Sequence, residues 1–106
     1  MELVSGNILI RPNTLEKKGD KVDGHTHNFD HTTIVFTGSV HVIATLPSGN
    51  IIEKDFTAPA HFLVKADVKH EIIAKEDGTI FWCVYSHRSP QGDVIQENIG
   101  WDRAYV

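Results

Sequence analysis

Three histidines within seven residues are the part of this sequence best suited to chemistry. His25 and His27 are separated by one residue, and His31 follows after residues 28–30. On a β-strand, positions two apart face the same side, so the imidazoles of His25 and His27 can reach one atom. Neutral imidazole is the commonest metal ligand among protein side chains. We therefore interpret this pair as chelating.

A fourth histidine, His70, begins an apolar segment that follows a turn at residues 65–69. We expect it to complete the site. The polar and acidic segment at residues 28–30 is typical of a bend that returns His31 to the same face. The alternative is a chance cluster of exposed strand histidines. Metal binding is the better interpretation, because ligand spacing on a half-buried strand is uncommon.

The spacing of these residues resembles the first motif of the cupin superfamily, which runs Gly, five residues, His-x-His, three or four residues, Glu, six residues, Gly. The positions on that spacing are Gly19, His25, His27, His31 and Gly38, with His31 in place of the Glu. The second motif, Pro-x-Gly-x-x-His and a later Asn, is matched at His70, while Lys65, Asp67 and Ala74 replace Pro, Gly and Asn. Because Asp tolerates left-handed dihedrals, we expect the turn at Asp67 to survive.

Within the superfamily, residues 25–31 resemble the four-histidine monocupins, which bind manganese or iron through four imidazoles. This resemblance implies one divalent metal, Mn or Fe, with Ni, Zn or Cu as alternatives. Four neutral ligands leave the ion its full charge, and imidazole selects against Mg and Ca. An octahedral ion would keep two open positions for a chelating substrate, or for substrate and dioxygen.

The cupin pattern also implies which residues face the pocket. On the predicted strand at residues 80–86 these are Phe81, Cys83 and Tyr85, with Trp82 and Val84 behind them. Phe81 can equally be a core side chain, and for Cys83 a core position is the better interpretation, since an unpaired cysteine is usually a small buried apolar residue. Tyr85 is the candidate catalytic residue, since a phenol can donate a hydrogen bond or shuttle a proton.

One further phenylalanine and three further histidines have no single predicted role. Phe29 either closes the pocket mouth or packs beneath its loop. His87 continues the alternation of Tyr85, and we expect a solvated strand end there, with the pocket rim beside Arg88 as the alternative. His41 and His61 receive no role, and we expect His61 to be exposed.

The elements that must position these residues are mostly strands. The chain has 106 residues, enough for one domain. Val and Ile total 21 against 6 for Leu and Met, and β-branching favours strands. We predict an all-β fold, a single antiparallel β-barrel of cupin or jelly-roll type with its core at residues 19–86. Two hairpins are expected: residues 31–36 turning at Gly38 into 40–46, and 40–46 turning at residues 48–50 into 51–56. A turn is expected at residues 11–13.

Composition excludes several classes of protein. The net charge is −4 and no basic cluster is denser than Lys17-Lys18, so no nucleic-acid partner is expected. No apolar stretch approaches the roughly 20 residues that cross a membrane. The single cysteine forms no internal disulfide and the first residues do not resemble a secretory signal, so we expect a cytoplasmic location.

The ligand set predicts an oxidoreductase, a metal-dependent dioxygenase acting on a small chelating substrate. A metal-dependent isomerase or lyase ranks lower, because Tyr85 is the only candidate base. The third alternative is a non-catalytic module that binds a small molecule or the metal. An apolar outer surface at Trp82, Val84, Trp101 and Tyr105 predicts a homodimer.

Overall fold

The computed structural model describes residues 3–26, 30–88, 91 and 104–105, with side chains described for residues 6–22, 26, 30–88 and 91. Ten strands lie in these segments. They are β1 (Leu3–Ser5), β2 (Ile8–Leu15), β3 (Lys21–His25), β4 (His31–Thr37), β5 (Ser39–Thr45), β6 (Ile51–Thr57), β7 (Ala60–Val64), β8 (Lys69–Ala74), β9 (Thr79–Ser86) and β10 (Ala104–Tyr105).

The strands form two sheets. The large sheet has the order β10-β1-β2-β9-β4-β7, and the small sheet has the order β3-β8-β5-β6. All neighbours are antiparallel except β1 and β10. The described residues contain no helix, so none there could cross a membrane. The predicted all-β fold is confirmed as two sheets arranged like a jelly roll, while closure into one barrel stays a prediction.

The core lies between the two sheets and is supplied by alternate residues of each strand. Val40, Val42, Ile72 and Ala74 come from the small sheet, and Leu15, Val35 and Phe81 from the large one. The alternation follows from the two-residue period of a strand, which turns every second side chain inward. The period-2 pattern in the sequence therefore predicts the buried face of these strands.

The interior changes character along β4 and β9. Towards one end, Val35 and Phe81 are completely buried in the apolar core. In the middle, Thr33 lies opposite Cys83. Towards the other end, the inward positions are held by His31 and Tyr85, both almost completely buried. Polar side chains thus collect at one end of the space between the sheets.

The first predicted hairpin is wrong. β4 pairs with β7 and β9, whereas β5 pairs with β6 and β8, so the chain changes sheets between them. Gly38 makes this corner with φ of 78°, and its carbonyl accepts a hydrogen bond from Ala58 N–H at 3.0 Å. Two apolar strands joined by a glycine have the same sequence pattern in a corner and in a hairpin. The second hairpin is confirmed, since β5 and β6 pair from Ser39 opposite Thr57 to Thr45 opposite Ile51.

The turn expected at residues 11–13 is also wrong, because β2 runs through it. Pro12 lies opposite Trp82 on β9. On its other side, the pairing of β2 with β1 among the described residues covers Ile8, Leu9 and Ile10. Pro12 lies beyond this described pairing, and a position without a ladder hydrogen bond on one side is where a sheet tolerates proline.

Candidate metal centre

Two of the four predicted ligands meet in the interior. His31 is the first residue of β4 and His70 the second of β8, so they come from opposite sheets. Their side chains are 3% and 2% exposed. The ring centroids lie 5.2 Å apart with the planes at 54°. The fold therefore places two buried imidazoles beside one another from strands nearly 40 residues apart in sequence.

The turn before β8 positions His70. Val68 N–H donates to the Lys65 carbonyl at 3.3 Å, and Asp67 has φ of 65°. The prediction that Asp67 replaces the glycine of the cupin motif in a left-handed conformation is confirmed. Ala66 N–H donates to the Asp30 carboxylate at 2.7 Å. The residue preceding His31 is thereby tied to the turn that precedes His70.

The tautomer of His70 is fixed by the same turn. Its Nδ1 lies 3.1 Å from the Val68 carbonyl oxygen, which can only accept a hydrogen bond. Nδ1 therefore carries the proton, and Nε2 carries a lone pair. Metal-binding histidines are commonly oriented in this way, by donating the other ring N–H to a backbone carbonyl. The donor chemistry of His70 fits a transition metal.

The other two predicted ligands lie only partly within the described structure. The Cα of His25 is the register partner of His70 across β3 and β8, after a register shift that begins at Val22. The side chain of His25, and all of His27 and Phe29, lie outside the described residues. Among the described side chains, no group of three or more His, Cys, Asp or Glu residues is placed to hold a metal ion.

Tyr85 adjoins the histidine pair. Its side chain is 6% exposed, and its ring centroid lies 5.8 Å from that of His31 in an edge-to-face arrangement. Arg11 was missed by the sequence reasoning because it was placed in a turn. The guanidinium carbon of Arg11 lies 5.6 Å from the Tyr85 ring centroid. The alternation Leu9, Arg11, Asn13, Leu15, with leucines buried at both ends, was the signal that could have found it.

The two predicted pocket residues on β9 have different surroundings. Phe81 is completely buried within the apolar core. Cys83 Sγ lies 3.6 Å from Thr33 Oγ1. Burial raises the pKa of the Cys83 thiol, and the contacts with Thr33 and the charge of Arg11 oppose this rise. The thiol of Cys83 is therefore protonated at neutral pH.

The remaining histidines differ in burial. The prediction of a solvated strand end at His87 is wrong. His87 is 7% exposed, and its backbone N–H donates to the Asn7 carbonyl at 2.9 Å. The turn between β1 and β2 covers this end of β9. His61 is exposed, as predicted. His41 lies on the outer face of the small sheet, with Glu53 at 3.0 Å and Asp55 at 2.6 Å.

Two cavities border the histidine pair. One of about 270 Å³ is lined by His70 and by apolar residues of β5, β6 and β7. The other is a shallow depression of about 370 Å³, lined by Asp30, His31 and Tyr85 among others. A small molecule could approach the two imidazoles from either side.

No protein-family model and no curated protein sequence matches the chain. Solved structures do. One oxalate decarboxylase structure from Bacillus subtilis has a TM-score of 0.70 and 21% identity over 85% of this chain and 24% of its own. Another has a TM-score of 0.69 and 22% identity over 76% of this chain and 21% of its own.

The chain thus spans between a fifth and a quarter of the length of these decarboxylases. A further structure of the B. subtilis enzyme concerns its Mn(II) centres. KdgF from Halomonas sp. has a TM-score of 0.65 and 16% identity over 80% of this chain and 73% of its own. These likenesses, together with the two-sheet topology, show that the chain has the cupin-type fold.

Proposed function

We propose that this chain binds one divalent transition metal through His25, His27, His31 and His70. The observation that carries the proposal is the buried pair of His31 and His70, with ring centroids 5.2 Å apart. An imidazole that donates its Nδ1–H to a backbone carbonyl presents the Nε2 lone pair, the form in which histidine binds transition metals, and His70 is held in this way. The cupin motif spacing and the His25–His70 register support the other two positions.

The ligand type favours particular metals. Four neutral imidazoles fit Mn or Fe, with Ni, Zn or Cu as alternatives, and suit Mg and Ca poorly, since those ions prefer oxygen ligands. The carboxylate closest in sequence to His31 is that of Asp30, which accepts the Ala66 N–H. Asp30 is thereby engaged in positioning the turn.

We propose that the reaction is oxidation of a small chelating substrate by dioxygen. When bound, the metal would supply Lewis acidity and open coordination positions for this chemistry. Tyr85 would donate or accept a proton at its phenolic oxygen beside His31. Arg11, stacked over the Tyr85 ring, would hold that ring in place and favour an anionic substrate. Cys83 would lie on the side of the site facing the apolar core in which Phe81 is packed, and Phe29 would lie at the entrance.

Metal content of protein purified without chelators tests the proposal. His70→Ala should abolish binding of the metal, His31→Ala should weaken it, and His31→Glu should retain it. His61→Ala, at an exposed histidine outside the site, is the matched control and should bind like the parent. Electron paramagnetic resonance of added Mn(II) gives the affinity. Unchanged metal content in the His31 and His70 variants would overturn the proposal.

Turnover requires a separate measurement. Oxygen uptake should be followed with diketones, thiols and phenols, with Tyr85→Phe as the variant that removes the proton donor but keeps the ring. A non-catalytic binding module is the second candidate. It would retain the metal and bind these compounds without consuming oxygen.

We also propose that the protein is a homodimer through the outer face of the large sheet. Phe36 and Trp82 contact edge-to-face there, with ring centroids 4.8 Å apart, and Phe36 is 45% exposed. Ile34 and Val84 lie on the same face. Light scattering that gives a monomer at tens of micromolar would contradict the dimer.

A further inference from the structure

The cavity beside His70 lies where the two sheets meet at their edge strands. Its walls come from β5 and β6 of the small sheet and from β7 of the large sheet. Phe56 on β6 and Phe62 on β7 line it and are stacked, with ring centroids 4.4 Å apart and planes at 24°. This stack joins the two edge strands, and His70 lies on the inner wall.

The lining is apolar except for His70 and two lysines. Val42 and Ala44 on β5 lie opposite Lys54 and Ile52 on β6. Residues directly opposite in an antiparallel pair share a face, and Val42 is buried, so Lys54 holds an inward-facing register position on this edge strand, while its side chain is exposed at the cavity. Its Nζ lies 5.3 Å from the Phe56 ring centroid. A lysine thus replaces the apolar residue that the alternation of β6 predicts.

The positive charge of this lysine is not balanced within the cavity. Lys65 also lines the cavity, and among its described lining residues there is no carboxylate. The acidic residues that flank Lys54 in sequence, Glu53 and Asp55, face outward, where they bind His41. The cavity therefore combines apolar walls with two exposed lysines and no carboxylate among its described lining residues.

We infer that this cavity binds an organic anion with an apolar body, such as an aryl- or alkyl-substituted carboxylate. The volume of about 270 Å³ lies just below the roughly 300–1,000 Å³ of drug-sized pockets, which limits the ligand to metabolite size. The apolar body packs against Val42, Ala44 and Phe62, and the anionic oxygens face His70. This orientation rests on the proposed metal at His31 and His70, whereas occupancy of the cavity does not.

A purely structural role for Lys54, without a ligand, makes a different prediction. Charged residues that point inward on an edge strand hinder edge-to-edge aggregation. In that case Lys54 would affect solubility and leave ligand binding unchanged. A ligand series that separates charge from apolar area distinguishes the two roles.

The probes are 3-phenylpropionate, its neutral analogue 3-phenylpropanol, and propionate, which lacks the apolar body. Each is titrated into metal-free and Zn(II)-loaded protein, with backbone amide shifts followed by NMR. We expect 3-phenylpropionate to bind with a dissociation constant of about a millimolar, given a ligand of its size. Its shifts should lie on β5, β6 and β7. The alcohol should bind several-fold more weakly than 3-phenylpropionate, and propionate should give no shifts at concentrations of about a millimolar.

Paired variants test the walls and the charge. Ala44→Leu fills the cavity and should abolish binding, whereas Thr45→Leu, on the opposite face of the same strand, should not. Lys54→Glu should weaken the binding of 3-phenylpropionate about tenfold, because it changes the charge by two units, and it should have little effect on the binding of the alcohol. Lys17→Glu, at an exposed turn, is the control. If Ala44→Leu fails to fold, Ile52→Asp at the exposed cavity mouth replaces it and should also weaken the anion.

The outcomes separate this inference from the proposed function. Equal binding of acid and alcohol, shifts away from the three strands, or indifference to the cavity variants would overturn the inference, even if the protein binds metal. Failure to bind metal, with the probe still bound in the cavity, would overturn the proposed function and the orientation of the head group. Tighter binding of the acid to the Zn(II)-loaded protein supports both.

Discussion

Replacing Gly38 with alanine should destabilise the protein more than the same change at Gly49. Both glycines have positive φ, 78° and 90°. A Cβ at Gly38 would overlap Thr79 Oγ1 and lie 2.9 Å from Thr79 Cα, whereas a Cβ at Gly49 would meet nothing within 4 Å. The comparison therefore isolates the close approach at Gly38 from the cost of a left-handed backbone.

Thr79 cannot easily move away. It is completely buried, and its hydroxyl donates to the Glu76 carbonyl at 2.9 Å. An alanine in the left-handed region costs about 1–2 kcal/mol. Overpacking in a rigid core adds about 1–3 kcal/mol. Gly38→Ala should thus cost about 2–5 kcal/mol, and Gly49→Ala only about 1–2 kcal/mol.

Equilibrium unfolding in urea, followed by tryptophan fluorescence, measures both free energies. The melting temperature of Gly38→Ala should also fall further, at roughly 4–8 °C per kcal/mol for a domain near this size. Equal losses of stability in the two variants, within the extrapolation error of about 10–15%, would refute the reasoning. In that case the corner between β4 and β5 would not depend on the contact with Thr79.

Three further predictions concern single residues. Hydrogen bonds to Glu53 and Asp55 raise the pKa of His41, so protonated His41 stabilises the fold. His41→Gln should therefore be less stable than the parent below a pH of about 6.5, and the difference should disappear as the pH rises through the raised pKa. Thermal melts from pH 5 to 9 measure this difference, and a difference that widens with pH would contradict the prediction. Asp67→Val should cost about 1–2 kcal/mol, because a β-branched residue is strained at φ of 65°, whereas Asp67→Gly should be tolerated; urea unfolding of both variants tests this. Since burial raises the pKa of the Cys83 thiol, iodoacetamide at pH 7.5 should modify the native protein far more slowly than the urea-unfolded protein, and equal rates would show the thiol to be accessible.

The sequence carried much of this structure in local signals. The alternation implied by the cupin pattern predicted that Phe81 and Tyr85 face inward, as they do. The meeting of His31 and His70 was predicted from the spacing of the cupin motifs, which carries information that no local pattern holds. The conformational tolerance of Asp predicted the left-handed Asp67. The inward faces and the Asp67 turn depend on a strand period of two residues and on backbone sterics, which neighbouring residues determine.

The errors arose where the outcome depends on distant strands. Whether Gly38 makes a hairpin or a corner is decided by the partners of β4, which are β7 and β9. His87 is buried because the turn at Asn7, some 80 residues earlier in the chain, covers the end of β9. Pairings at such separations leave no mark in a local hydrophobic pattern, since loop closure and tertiary packing decide them.

Two cations at inward-facing register positions were missed for a related reason. Arg11 was assigned to a turn because it precedes a proline. Lys54 lies on β6 between Glu53 and Asp55, the two charged residues of that strand that face outward. The alternation of β2 could have found Arg11, which lies opposite Cys83, whereas the position of Lys54 follows only from its register opposite Val42. A chain with net charge −4 thus has Arg11 beside Tyr85 and the exposed Lys54 at the cavity beside His70, while Glu53 and Asp55 face solvent on the other side of β6. Positive potential inside a low-dielectric cleft attracts anions even when the whole molecule is negative, which is the electrostatic reason to test anionic ligands first.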